Sequence, residues 1–233
     1  MKRSFIVLFA LLSLVACRND KDLPLPGMLE DKDWYILRAP ENRQIQAVYG
    51  DIDGTLLITD RFHIYYTRDK GTTWTQADYK NNVGLAGFGT RNDTLFVMDT
   101  ETTSSAEPGN RYAIRPYFFS LDGGMRWEKL SQRGDEPEMK IALNYAYSGN
   151  GIRFSIDELV SNGSVTHFGI KNESGRKITL PQRHNLNNVY FDQKSRLYIA
   201  ASSPICEKNG ADQFCDNNDF RGTLYISKRE INY

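Results

Sequence analysis

Thr67-Arg68-Asp69-Lys70-Gly71-Thr72-Thr73-Trp74 and Ser120-Leu121-Asp122-Gly123-Gly124-Met125-Arg126-Trp127 follow one pattern, Ser/Thr-x-Asp-x-Gly-x-x-Trp, with the two aspartates 53 residues apart. An aromatic run precedes each, Tyr65-Tyr66 in the first and Tyr117-Phe118-Phe119 in the second. Aromatic and β-branched residues favour strands. An Asp side chain accepts hydrogen bonds from the backbone N–H groups of a following turn. Glycine enters the left-handed region cheaply, and a tryptophan opening the next strand brings a large ring to bury. The pattern predicts strand, tight turn, strand. It gives Asp69, Gly71, Trp74, Asp122, Gly124 and Trp127 a structural part and no catalytic one.

A second self-match spans more of the chain. Residues 48–58 align without gaps to residues 189–199, an offset of 141 residues, three periods of 47. Between them, Thr94-Leu95-Phe96-Val97 and Ile152-Arg153-Phe154-Ser155-Ile156 repeat the alternating strand. Periods of about 40–50 residues with several short strands each mark propeller blades. The Asp69 and Asp122 boxes resemble the Asp-box, or bacterial neuraminidase, repeat of β-propeller proteins. That resemblance implies an all-β chain: a small β-propeller-like fold of about four Asp-box-type blades, occupying 33–233. The units run from about 34 to 79, 83 to 130, 141 to 180, and from 187 onward. The third carries Asn172-Glu173-Ser174-Gly175 where a box would fall, and the fourth ends without one. Asp33-Trp34-Tyr35-Ile36-Leu37 is expected to supply the missing outer strand, which protects the edge. An open two-sheet β structure is the competing architecture.

Working outward, the composition agrees with a globular β domain. The chain has 233 residues, 13 Tyr, 12 Phe and 18 Gly, and a mean hydropathy of −0.53. Twenty-nine basic residues balance 29 acidic ones, which excludes the net basic surface of a nucleic-acid binder. Met1-Lys2-Arg3 followed by an apolar run from Phe5 to Ala16 reads as a signal peptide, 1–16. Twelve residues make ~18 Å of helix, too short for a ~30 Å hydrocarbon core. Leu14-Val15-Ala16-Cys17 resembles the bacterial lipobox, which implies lipidation (palmitate among the acyl chains) of Cys17 as the mature N-terminus. Such a chain keeps 27 basic and 29 acidic residues. Residues 17–32, with Asp20-Lys21-Asp22-Leu23-Pro24-Leu25-Pro26, form a short tether. Arg18, in place of the aspartate that retains enterobacterial lipoproteins in the inner membrane, points to the outer membrane, facing the periplasm. The two remaining cysteines, Cys206 and Cys215, suggest one disulfide in an exported chain, worth about 2.7 kcal/mol by loop entropy.

Catalytic motifs are sparse. The Asp-box family includes sialidases, which carry an arginine cluster, a Tyr–Glu nucleophile pair and a Phe/Tyr-Arg-Ile-Pro motif. Here Ala113-Ile114-Arg115-Pro116 has those letters out of order and mid-chain. His63, His167 and His184 form no metal pattern, and Asp51-Ile52-Asp53-Gly54 is better explained as a hairpin turn than as a calcium loop. No cofactor and no metal are expected, and the chain is read as a non-enzyme. Polar segments 99–111, 132–140 and 207–221 are then the candidate binding loops. They offer Glu101, Glu107, Arg111, Glu207, Lys208, Asp212 and Phe214 to a protein partner. In address, size and lack of catalytic motifs the chain resembles immunity lipoproteins of bacterial secretion systems. That resemblance implies a periplasm-acting secreted toxin, such as a type VI lipase effector, as partner. The alternatives are an assembly factor for an envelope complex, which Asp-box proteins also include, or a glycan-binding, sialidase-like protein.

Overall fold

The computed structural model describes residues 28–132, 134–161 and 163–233. The signal sequence 1–16, Cys17 and the tether up to residue 27 lie outside the described residues. Every regular element described is a strand. In chain order, β1 (Met28–Glu30) and β2 (Trp34–Arg38) precede β3 (Ala47–Gly50), β4 (Leu56–Thr59), β5 (Ile64–Thr67) and β6 (Thr75–Gln76). Strands β3 to β6 form blade A. Next come β7 (Gly87–Arg91), β8 (Thr94–Met98), β9 (Thr100–Ser104), β10 (Glu107–Ile114), β11 (Phe118–Ser120) and β12 (Glu128–Lys129). Blade B is β7-β8-β11-β12, while β10 and β9 join β13 (Lys140–Ala142) as blade C. Blade D is β14 (Tyr145–Tyr147), β15 (Arg153–Ser161), β16 (Ser164–Asn172) and β17 (Lys177–Ile178). The last strands are β18 (Leu186–Phe191), β19 (Leu197–Ala201), β20 (Ile205–Lys208), β21 (Ala211–Phe214) and β22 (Thr223–Ser227). Blade E has the order β18-β19-β22-β2-β1, and β20–β21 is a separate hairpin.

Strand β3 neighbours β7, β7 neighbours β13, β13 runs on into β14, β14 neighbours β18, and β18 returns to β3. The sheets therefore close into a small β-propeller. It has five blades where the sequence predicted four. The extra blade comes from residues 99–111, which the sequence assigned to a polar loop. Its alternation is carried by Thr and Glu instead of apolar residues, and so gives no hydrophobic signal. The chain leaves blade B at Asp99 and re-enters it at Arg115-Pro116. There Arg115 takes φ 64° and its carbonyl accepts the Asp99 N–H at 3.2 Å. Strand β2 pairs with β22 from Trp34↔Ser227 to Arg38↔Thr223, so the N-terminal segment does supply an outer strand of the last blade. Residues 28–30, given to the tether by the sequence, extend that blade by one more strand, β1.

The core lies between blades. Leu37, Val48, Leu56, Tyr198 and Leu224 fill the A–E interface, and Trp34, Phe154, Ile170, Val189 and Tyr225 the D–E interface. Leu57, Ile64, Phe88, Phe118 and Trp127 fill A–B. The B–C interface is small, with Ala86, Met98, Ala113 and Leu143.

The Asp-box turns lock neighbouring blades. Asp69 accepts from the Thr73 N–H at 2.9 Å, and Asp122 from the Met125 and Arg126 N–H groups at 3.0 Å. Gly71 (φ 81°) and Gly124 (φ 95°) then press against the preceding blade. A Cβ at Gly71 would lie 2.8 Å from Leu37, and one at Gly124 2.6 Å from Leu57. Trp127 is buried, with its indole N–H on the Gly124 carbonyl at 2.8 Å, whereas Trp74 is only half-buried against the A–E core. In blade D, Asn172 does the work of the aspartate by accepting the Arg176 N–H at 2.8 Å.

The two halves of the 141-residue self-match meet here as adjacent inner hairpins. Arg196, itself buried, reaches Asp192 of its own turn at 2.7 Å and, across the blade boundary, Asp53 at 2.7 Å and Asp51. Lys194 adds a 2.9 Å contact to Asp53. The hydrogen bonds from Lys194 and Arg196 hold the Asp53 carboxyl at about 2, below its ordinary 3.8. The acidic turn thus has side-chain cations where the sequence raised a calcium loop. Arg196→Met leaves the buried Asp192 carboxylate without its cation, and urea unfolding should show a loss of about 3–5 kcal/mol. A loss below ~1 kcal/mol would mean that the cluster is solvated and carries little of the closure.

Candidate functional site

The connections between second and third strands gather at the end of the ring opposite the Asp-box turns. Blade A has the short turn 60–63 there, and its His63 Nδ1 lies 3.0 Å from Asp60. The β9–β10 hairpin serves blade B, and the β20–β21 hairpin serves blade E. In blade D, β15 and β16 are nine residues each, but their sheet partners β14 and β17 have three and two. The pair therefore overhangs the blade. Its free part carries Leu159, Val160, Val165 and Phe168, with Val160 65% and Phe168 53% exposed.

A cleft of about 330 Å³ separates this overhang from the β9–β10 hairpin, lined by residues including Arg111, Glu158, Val160, Val165, His167, Leu186 and Asn187. The register sets Glu158 opposite His167 and Val160 opposite Val165. Residues two apart share a face, so an acid–imidazole pair and two valines look into the same cleft. His167 Nδ1 accepts the Leu186 N–H at 3.3 Å. That leaves the proton on Nε2, which faces Glu158 Oε2 at 3.3 Å. Burial pushes the imidazole below its ordinary 6.5; the Glu158 carboxylate opposes this and the Arg111 cation reinforces it. Arg111 itself donates to Glu101 at 3.1 Å and to the Asn187 carbonyl at 3.3 Å.

Of the residues singled out from sequence, Arg111 lines this cleft and Glu101 pairs with it at 3.1 Å. Glu107 turns to Tyr112 and, at 3.2 Å, to Lys140. The others belong to the β20–β21 hairpin, which the Cys206–Cys215 disulfide staples (Cα–Cα 4.9 Å). Lys208 caps the carbonyls of Phe214 (2.9 Å) and Cys215 (3.0 Å), Asp212 pairs with Arg183 at 2.6 Å, and Phe214 stacks edge-on with Phe220. Glu207 is exposed on the hairpin. No metal-holding group of three His, Cys, Asp or Glu occurs among the described residues. The third histidine, His184, is a core residue. It donates to the Ser202 carbonyl at 2.9 Å, accepts from Tyr225 at 2.8 Å, and burial lowers its pKa to about 4.

Sequence reasoning missed Glu158 and His167. The signal was present: Ser161-Asn162-Gly163-Ser164 is a hairpin turn sequence, and counting outward from it pairs 158 with 167. An imidazole, a carboxylate and a pinned guanidinium thus stand together beside aliphatic walls.

No family model and no curated protein matches the chain. Solved structures similar to it include a streptogramin B lyase (11% identity, TM-score 0.28, 80% of this chain and 61% of that one). Another is the extracellular domain of a one-component system from B. thetaiotaomicron (8%, 0.34, 84% and 37%). A third is YCF48 from Cyanidioschyzon merolae (12%, 0.27, 78% and 73%). This chain spans less than two thirds of the lyase's length. All three are β-propellers, and they assign no activity.

NMR titration of the imidazoles should place both His167 and His184 below 6.5, with His184 near 4. Each lowered value means that the unfolded chain takes up the proton first, so stability falls as pH drops below about 6.5. A His167 midpoint above 6.5 would instead identify a charged ion pair with Glu158.

Proposed function

We propose that this chain is a non-catalytic, protein-binding propeller held by a lipid on Cys17 in a bacterial outer membrane, facing the periplasm. The observation that carries the reading is the overhanging β15–β16 hairpin. Its exposed Val160 and Val165 line the cleft, and Leu159 and Phe168 are exposed on the same projecting hairpin. Apolar side chains gathered in the open on one projecting hairpin suit an interaction site. Phe214 on the stapled hairpin, with Phe220 of the following segment edge-on against it, adds a second apolar point at the same end. A glycan site is less well supported, because Trp34 and Trp127 are buried in the core and offer no stacking platform.

The narrower reading is an immunity protein that captures a secreted, periplasm-acting toxin such as a lipase effector. The exported address, the size and the rigid ring with protruding hairpins all suit capture of a folded partner. Deleting the gene should sensitise cells to one co-encoded toxin. Replacing Val160 and Phe168 with Asp should weaken capture of that toxin by roughly tenfold or more while leaving thermal unfolding unchanged. A deletion strain that stays healthy with the toxin present and active would contradict the immunity reading. Full binding by the doubly substituted chain would remove the hairpin from the interface.

A further inference from the structure

Glu158 is the acid of the hairpin end that the fold leaves without a cation. Its side chain keeps 19% exposure on the cleft, and its partner is the His167 imidazole at 3.3 Å. The guanidinium that lines the same cleft, Arg111, is turned to Glu101 and to the Asn187 carbonyl. No lysine or arginine among the described residues comes within ion-pair distance of Glu158. Other partly buried acids here are served. Asp157 has Lys171 at 2.9 Å and Lys177 at 2.8 Å, and Asp219 has Arg221 at 2.9 Å. The charged and titratable groups that line the cleft are Arg111 from β10, Glu158 from β15 and His167 from β16, with Glu101 of β9 joined to it through its ion pair with Arg111, whereas β18 contributes Leu186 and Asn187. With the Arg111 guanidinium paired to Glu101, the Glu158 carboxylate is the charge that faces the cleft without a cation.

The walls define the rest of the ligand. Val160 and Val165 lie on the same face as Glu158, and Leu186 lines the cleft with them. An arginine or lysine lays its methylenes along apolar surface and delivers its charge at the tip. A planar guanidinium also matches a carboxylate in two-pronged fashion. We infer that this cleft receives a basic side chain flanked by an aliphatic residue from the protein partner, with Glu158 as the acceptor and His167 as the group that positions it. The inference rests on the protein-binding reading and names the recognition chemistry of that surface.

The test uses the isotope-labelled full chain in detergent micelles and two probes, acetyl-Leu-Arg-Leu-amide and acetyl-Leu-Gln-Leu-amide. The arginine peptide should shift the amides of residues 101–111 and 158–167 saturably. The glutamine peptide should bind roughly fivefold more weakly, the effect of one charge-assisted hydrogen bond in a half-exposed site. Glu158→Gln should bring the arginine peptide down to the level of the glutamine peptide. His167→Gln should weaken the arginine peptide less and abolish any pH dependence of its binding between 5 and 7. Equal binding of the two peptides, shifts confined to other surfaces, or an unaffected Glu158→Gln chain would overturn the inference. A toxin that binds normally while the peptides are not distinguished would overturn it and leave the protein-binding reading standing. Discrimination between the peptides with no protein captured would keep the site and remove that reading.

Discussion

Arg196 closes the ring. Its guanidinium joins Asp192 of the last blade to Asp51 and Asp53 of the first, at the inner end of the A–E boundary. At the outer edge of the same blade, β2 completes the sheet begun by β18, β19 and β22. The first and last described strands, β1 and β22, thereby both belong to blade E. A buried ion cluster adds little over well-packed apolar side chains, but breaking one partner strands a charge in low dielectric. The cluster ties the 51–55 turn of blade A to the 192–196 turn of blade E beside the hydrophobic A–E interface. Tyr198 shows the coupling directly: its hydroxyl donates to Asp192 at 2.9 Å and accepts the Ile52 N–H of blade A at 3.0 Å.

A closed ring allows one thin blade. Blade C owns a single inner strand, β13, and borrows β10 and β9 from a hairpin that leaves blade B. Its contact with blade B is a small cluster around Met98, Ala113 and Leu143. With its outer edge ending at β9, blade C leaves space beside the long hairpin of blade D. The cleft that holds Arg111, Glu158 and His167 occupies that space. The candidate site is thus a consequence of how the fifth blade is assembled.

Much of the architecture was legible in the sequence. The Asp69 and Asp122 boxes mark turns in which aspartate, glycine and tryptophan each have a separate physical task, and the 48–58 and 189–199 match identifies the inner hairpins. The role of Asp33 to Leu37 as a closing strand followed from a unit that ran out of chain. Blade C was not legible, because Thr100-Glu101-Thr102-Thr103-Ser104 alternates between exposed and half-buried polar residues. Its strand character comes from pairing with β10. The site was half legible. Glu101 and Arg111 stood out as charges in a long polar segment, whereas Glu158 and His167 sit in strands whose pairing had first to be counted from the turn. No local pattern announces that Arg111 would be held by Glu101 and a carbonyl, leaving Glu158 for another cation.

Native-state hydrogen exchange tests the central claim, closure of the ring as one cooperative unit. Amides of Ile36 and Leu37 in β2 should exchange with the same opening free energy, and the same urea dependence, as Tyr225 and Leu224 opposite them and Ile199 beyond. Exchange of β2 well ahead of β19 and β22, with little urea dependence, would show the N-terminal strand to be a local flap and would contradict the account.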